Sequence, residues 1–185
     1  MRTLVDQVEA SLAGSHYFLS LFGALAIPDI AGALDSDNGE ATGPKYAAWY
    51  DQWVPPRASE LVRASMLPEL RSVLGNLPPG PMTGEVCYRF RCSLMHQGST
   101  QNPKSPFSRI LFVEPGAARG VIHNCIADDV LIIDVPLFCK EIIGATRDWL
   151  DQVEQTPKFL GNYNRFAHRH ASGLAPYVVG APVVG

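Results

Sequence analysis

Two residue types that can move a proton and hold a phosphate stand five positions apart in the stretch YRFRCSLMHQG, Tyr88 to Gly98: Arg91 and His96. A histidine can take and return a proton near neutral pH. An arginine presents a planar fork of donors suited to phosphate and can offset the charge that develops on a phosphorus under attack. Together they are the groups required for phosphodiester cleavage without a metal. On a helix, five steps turn the chain by about 500°, leaving the two side chains about 140° apart around the axis. Arginine is long, but the expectation is that the two form no tight pair within one chain. A second copy of the helix would have to bring both pairs around one cleft.

The spacing alone is weak, because Arg165 and His170 in NRFAHRH repeat it where no helical period supports it. A plainer reading makes Arg91 structural and His96 a cap, since the negative end of a helix dipole favours an imidazolium there. Other candidates have simpler explanations. His168 and His170 with Arg165 and Arg169 could contact RNA or bind a metal, yet no carboxylate or cysteine joins them at ligand spacing, and a solvated tail accounts for them. Asp128, Asp129 and Asp134 read as a turn and a strand end. Cys92 follows Arg91, but no histidine or acid stands where it would make that thiol a nucleophile. No glycine-rich phosphate loop is present.

The elements that must position Arg91 and His96 follow from periodicity. Leu4, Val5, Val8, Leu12, Tyr17, Leu19, Leu21, Phe22 and Leu25 predict one helix from the start to about Ala26, bent at Gly14. Pro28 is expected to open a short second helix, and DSDNGEATG, Asp35 to Gly43, to be an acidic loop. Pro44 begins a helix whose Tyr46, Trp49, Tyr50 and Trp53 form an aromatic face, read as core. Pro55 and Pro56 should break it. Ala58 to Leu74 is expected to be helical with a kink at Pro68, and Leu77 to Gly84 to be a stiff connector. Val86, Phe90 and Leu94 repeat every fourth residue with Cys87 beside them, so the next helix turns that face inward. Gly98 fits the position just past its end, which puts His96 in the last turn. RILFVEP, GVIHNCI and DVLIIDV predict a small antiparallel sheet with turns near Pro115 to Gly120 and at Asp128 and Asp129. Pro136 opens a last long helix to about Gln155, with Phe138, Ile142, Ile143 and Trp149 as its apolar stripe.

These 185 residues, 46% hydrophobic, suit one domain with a real core. The expected division is a helical domain at 1–160, with a β insertion near 108–135, and an extended C-terminal arm at 161–185. A net charge of -3 and a pI near 5.9 exclude a generally basic protein, so any nucleic-acid contact must be a local arginine patch. The cysteines Cys87, Cys92, Cys125 and Cys139 have no CxxC spacing and read as reduced thiols in a cytoplasmic protein. Asp6 and Glu9 stand where a signal peptide would need a basic region and an apolar core. The apolar run Tyr17 to Ile27 is short of the ~20 residues that span a bilayer and is expected to be a buried helix.

With those residues in place, YRFRCSLMHQG resembles the signature helix of the HEPN superfamily, the higher eukaryotes and prokaryotes nucleotide-binding proteins. Their motif is an arginine, four to six residues and a histidine near the end of a late bundle helix. Arg91 and His96 match it, with Leu94 and Met95 as the apolar pair before the histidine and Gly98 after it. The residue after the arginine is usually polar in that family, and here it is Cys92. The resemblance covers this helix and, loosely, its neighbours. It implies a mostly α-helical HEPN-like bundle, here carrying a small antiparallel β insertion, that dimerises through this helix. It also implies a metal-independent endoribonuclease of a toxin-antitoxin or phage-defence kind. Arg91 and His96 would be catalytic, Arg89, Cys92 and Gln97 would contact substrate, and neither metal nor cofactor is expected. The expected partners are a second copy, RNA and an antitoxin or other protein, with no membrane. A silent HEPN-like module that binds a nucleotide or protein, and a structural α+β domain in which Arg91 satisfies backbone carbonyls, are the alternatives.

Overall fold

In the computed structural model, which describes residues 1–65, 80–116 and 122–185, the N-terminal apolar stripe is two helices, α1 (Arg2–Ala13) and α2 (Tyr17–Leu34). The expected single helix is corrected in its middle, where it breaks after Ala13, and at its end, which runs past Ala26 to Leu34. Gly14 donates back to Ala10 and closes α1, and Ser15 then takes a left-handed φ of 59°, which redirects the chain before α2 starts. Pro28 lies inside α2 instead of opening a new helix. Its missing N–H costs one helical bond. The packing of Leu25, Ile27, Ala31 and Leu34, all buried, outweighs that loss.

Tertiary packing overrides proline again in α3 (Gly43–Ser65), which continues through Pro55 and Pro56 where a break was expected. The carbonyls deprived of donors belong to Asp51 and Gln52, both on the exposed side, where water can serve them. Tyr46, Trp49 and Tyr50 are buried and Trp53 is half-buried, so the aromatic face is core. Pro68, the rest of the expected Ala58 to Leu74 helix, and the start of the Leu77 to Gly84 connector lie outside the described residues. So does most of the expected Pro115 to Gly120 turn.

Helix α4 (Gly84–Gln97) precedes a three-stranded sheet of β1 (Arg109–Val113), β2 (Cys125–Ala127) and β3 (Val130–Asp134). The expectation of an antiparallel sheet holds for β2 and β3 only: β1 and β3 are parallel, with Ile110 opposite Leu131 and Phe112 opposite Ile133. Leu131 and Ile133 are fully buried, so β3 takes the centre, while β2 is exposed throughout and takes the edge. The β2–β3 hairpin reverses the chain once, so β3 returns in the direction of β1. Asp134 ends β3 and caps α5 (Val135–Val153), accepting from the Leu137 N–H at 2.8 Å. Phe138, Ile142, Ile143 and Trp149 of α5 are buried as expected, each such side chain contributing about 1.5–3 kcal/mol.

The C-terminal segment is folded where an extended arm was expected. Thr156 caps a short helix, α6 (Pro157–Tyr163). Two strand pairs follow: β4 (Arg169–His170) with β7 (Val183–Val184), and β5 (Gly173–Leu174) with β6 (Val178–Val179). Backbone bonds in both directions between His168 and Gly185 close the outer pair. Strands of two residues carry no period that sequence reading can find. Among the described residues the protein is mostly helical with a few small strands. Only α2 there is long and apolar enough by composition to cross a membrane, and half of it is buried among the other helices.

Candidate active site

Three separate devices hold α4 in place. At its start, the Thr83 hydroxyl accepts from the Val86 N–H at 3.3 Å, and Asp51 of α3 accepts from the Gly84 N–H at 2.6 Å. Along its length, Val86, Cys87, Phe90 and Leu94 are buried in the core. Asn102 reaches back from the following loop to donate to the Arg89 carbonyl at 2.9 Å and the Ser93 hydroxyl at 2.8 Å. At the end, Gly98 adopts φ 63°, and its N–H and that of Ser99 bond to Leu94 and Ser93. The buried stripe points one way, so His96 and Gln97 emerge exposed in the last turn.

Arg91 and His96 meet within this single chain. Arg91 Nη1 lies 3.2 Å from His96 Nε2, which corrects the expectation that they stay apart without a second copy. The angular argument fixes where each Cβ points. A long arginine stem can swing along the helix and close the gap. Behind the pair, Asp29 Oδ2 of α2 lies 2.6 Å from Arg91 Nε, with the two side chains 16% and 20% exposed. The contact is a short-range ion pair without an aligned hydrogen bond, for Asp29 Oδ2 and Arg91 Nε are both buried with no hydrogen-bond partner. Among the described residues Arg91 therefore faces a carboxylate and an imidazole, not backbone carbonyls.

The electrostatics follow from burial. Loss of water pushes the Asp29 carboxyl above its ordinary value, and Arg91 and then His96 pull it only part of the way back. The same loss pushes the Arg91 guanidinium down, but Asp29 and Cys92 together lift it above its usual value, so its charge is secure. The Cys92 sulfur, and then burial, raise the Tyr88 phenol. Cys92 is thus a packing neighbour of Tyr88 and Arg91. A charged fork and an imidazole at an exposed helix end, with a carboxylate fixing the fork from behind, can bind a phosphate and exchange a proton beside it.

The remaining candidates scatter. Arg89 is ion-paired with Glu85 one turn back along α4, and the Gln97 side chain has no partner among the described residues. Arg165 donates to the Asn38 carbonyl at 3.2 Å and to Asn162 Oδ1 at 3.0 Å. His168 donates to the Tyr163 carbonyl at 3.0 Å and stands edge-on to the Tyr163 ring, while His170 donates to the Gly185 carbonyl at 3.3 Å. These residues are ties within a folded end, not a solvated tail. Asp128 sits in the β2–β3 turn with φ 56°, and Asp129 accepts there through its carbonyl.

Two residues escaped the sequence reading. Asp29 had a signal, being the only charged residue in the 18 of α2, where a buried charge demands a partner. His123 had none: it donates from Nε2 to Glu141 of α5 at 3.1 Å and accepts at Nδ1 from the Asp134 N–H at 3.2 Å, pinning the approach to β2 onto α5. Compared with family models, curated proteins and solved structures, the chain matches none.

Proposed function

We propose that the protein is a metal-independent endoribonuclease of HEPN type, with Arg91 and His96 as its catalytic residues. The observation that carries the reading is the 3.2 Å contact between Arg91 Nη1 and His96 Nε2 at the exposed end of α4, backed by Asp29. Arg91 binds the scissile phosphate and offsets the charge of the phosphorane. His96 takes the proton of the neighbouring ribose 2′-hydroxyl as that oxygen attacks phosphorus, and returns it to the departing 5′ oxygen.

The homodimer, the cytoplasmic setting and an antitoxin or other protein partner belong to the same proposal and rest on the resemblance. Exposed Phe18 and Leu19 on α2 offer apolar surface to a second copy. A non-catalytic binding module is favoured by a different observation, that Arg91 Nε already faces Asp29 and Cys92 stands where the family carries a polar residue.

Purified protein incubated with single-stranded RNA decides between them. Cleavage is expected to persist in EDTA, to leave a 2′,3′-cyclic phosphate, and to fail on DNA and on RNA methylated at the 2′-oxygen of the cut site. Cleavage that requires an added divalent ion, or that takes DNA equally well, rules this mechanism out. No cleavage at all leaves the binding module as the reading.

A further inference from the structure

We propose that Arg91 masks His96 in the free protein and that an RNA phosphodiester unmasks it by taking the guanidinium; this rests on the ribonuclease reading above. A guanidinium has five donors and no acceptor. The hydrogen bond between Arg91 Nη1 and His96 Nε2 at 3.2 Å therefore has one polarity, with Nε2 accepting. The imidazole in that contact is neutral and carries its proton on Nδ1. The lone pair that a general base would use is already occupied.

Beside it, the Asp29 contact is incomplete. Asp29 Oδ2 and Arg91 Nε are 2.6 Å apart and buried, yet neither is in an aligned hydrogen bond. Buried polar atoms are nearly always satisfied, and an exception calls for a physical reason. The reason here is that one guanidinium serves two partners that it cannot satisfy in one orientation. It is bonded to the imidazole and only electrostatically attracted to the carboxylate.

A phosphodiester changes that balance. Its charged oxygens add a charge–charge attraction to the guanidinium that a neutral imidazole nitrogen does not offer, and two can be held at once. A neutral imidazole loses that competition. When the Nη edge turns to the phosphate, Nε–H is free to align on Asp29, and His96 Nε2 is released next to the bound phosphodiester. The released Nε2 takes the 2′-hydroxyl proton as the O2′–P bond forms. The bond from phosphorus to the 5′ oxygen breaks with its electron pair on oxygen, and that oxygen takes the proton from the imidazolium. The base is thus available only where a substrate phosphate is already held.

The test reads the His96 ring by long-range ¹H–¹⁵N correlation on histidine-labelled protein, at mildly alkaline pH where an ordinary imidazole is neutral. His96→Asn assigns the signals. The free protein is expected to show the Nδ1–H tautomer. Saturation with a 2′-O-methyl RNA oligonucleotide, followed by fluorescence anisotropy, is expected to shift the Nε2 line. Arg91→Met should show, without RNA, the Nε2–H tautomer that an unconstrained neutral imidazole favours. An Nε2–H tautomer in the free wild-type protein overturns the masking even if the protein cleaves RNA, and needs no folded variant. Ring signals that bound oligonucleotide leaves unmoved overturn it too. An Nδ1–H tautomer in a protein that binds no oligonucleotide overturns the ribonuclease reading, and with it the unmasking step.

Discussion

Arginine and histidine stand five residues apart twice in this chain, and the two pairs end in opposite geometries. Arg91 and His96 lie on one capped helix and touch at 3.2 Å, with Asp29 brought up from α2. Arg165 and His170 straddle the end of α6 and the start of β4, and each turns to a different partner, Arg165 to Asn38 and Asn162 and His170 to Gly185. Sequence spacing becomes a distance only where the backbone repeats. A pair becomes a candidate site only where another element supplies the charge that holds it.

The largest contrast is expected from the histidines. His96→Ala should lower the cleavage rate on single-stranded RNA by about 10²–10⁴-fold. Its melting temperature should stay nearly unchanged, because His96 is exposed and supports little packing. His170→Ala should leave the rate as it is. Equal losses in both variants, read from single-turnover rates, would erase the distinction between the two regions.

The arginines come next. Arg91→Ala should slow cleavage by about 10²–10³-fold. Urea titration should also show a loss of about 1–3 kcal/mol, the cost of leaving the Asp29 carboxylate partly buried without a counter-charge. Arg165→Ala gives up hydrogen bonds to neutral acceptors on an exposed side chain and should cost about 1 kcal/mol or less, with no change in rate.

The glycines sharpen the comparison at the backbone. Gly98 has φ 63° with open space around it, so Gly98→Ala costs only the left-handed strain, about 1 kcal/mol, and loosens the turn that carries His96. A modest loss of cleavage is expected. Gly173 has φ 96°, and a Cβ there would lie 2.3 Å from the Val178 carbonyl oxygen, so Gly173→Ala should open the β5–β6 pair. Amide exchange at Val178 and Val179 would report that opening while cleavage stays intact.

Acid should give the smallest effect, with a definite sign. The Asp29 carboxyl is raised above 3.8 in the folded protein, so the folded state holds that proton more tightly than the unfolded chain does. Its contribution to stability is full below 3.8 and is lost as pH rises through the raised value. Glu9 and Glu154 are lowered, chiefly by their bonds to Arg147 and Arg2, so they stabilise above 4.5 and stop doing so as pH falls through their folded values. Both are present in wild type and in Asp29→Asn. The stability difference between those two proteins therefore isolates Asp29, and wild type should gain on the variant as pH falls through the raised value of that carboxyl to its ordinary 3.8. A difference that runs the other way would mean that Arg91, not burial, governs Asp29.

Much of the architecture could be read from residue order alone. The apolar stripes of α3, α4 and α5, the aromatic face of Tyr46, Trp49 and Tyr50, and Gly98 as the end of α4 are properties of local period and backbone preference. These act over a few residues, so the chain carries them wherever it folds. Proline was legible only as a local tendency. Pro28, Pro55 and Pro56 stay within helices because packing by distant residues outweighs one lost bond each. The parallel pairing of β1 with β3 was decided by which strand could bury Leu131 and Ile133, a question the strands cannot answer singly.

The candidate site divides along the same line. Sequence by itself determined that Arg91 and His96 share a helix whose buried stripe turns His96 outward, because helical period and a left-handed glycine act locally. Tertiary structure alone decided that the two side chains meet and that Asp29, 62 positions before Arg91, stands behind them. A flexible arginine adopts one direction only when a charge fixes it. Where α2 places that charge is set by core packing over the whole chain.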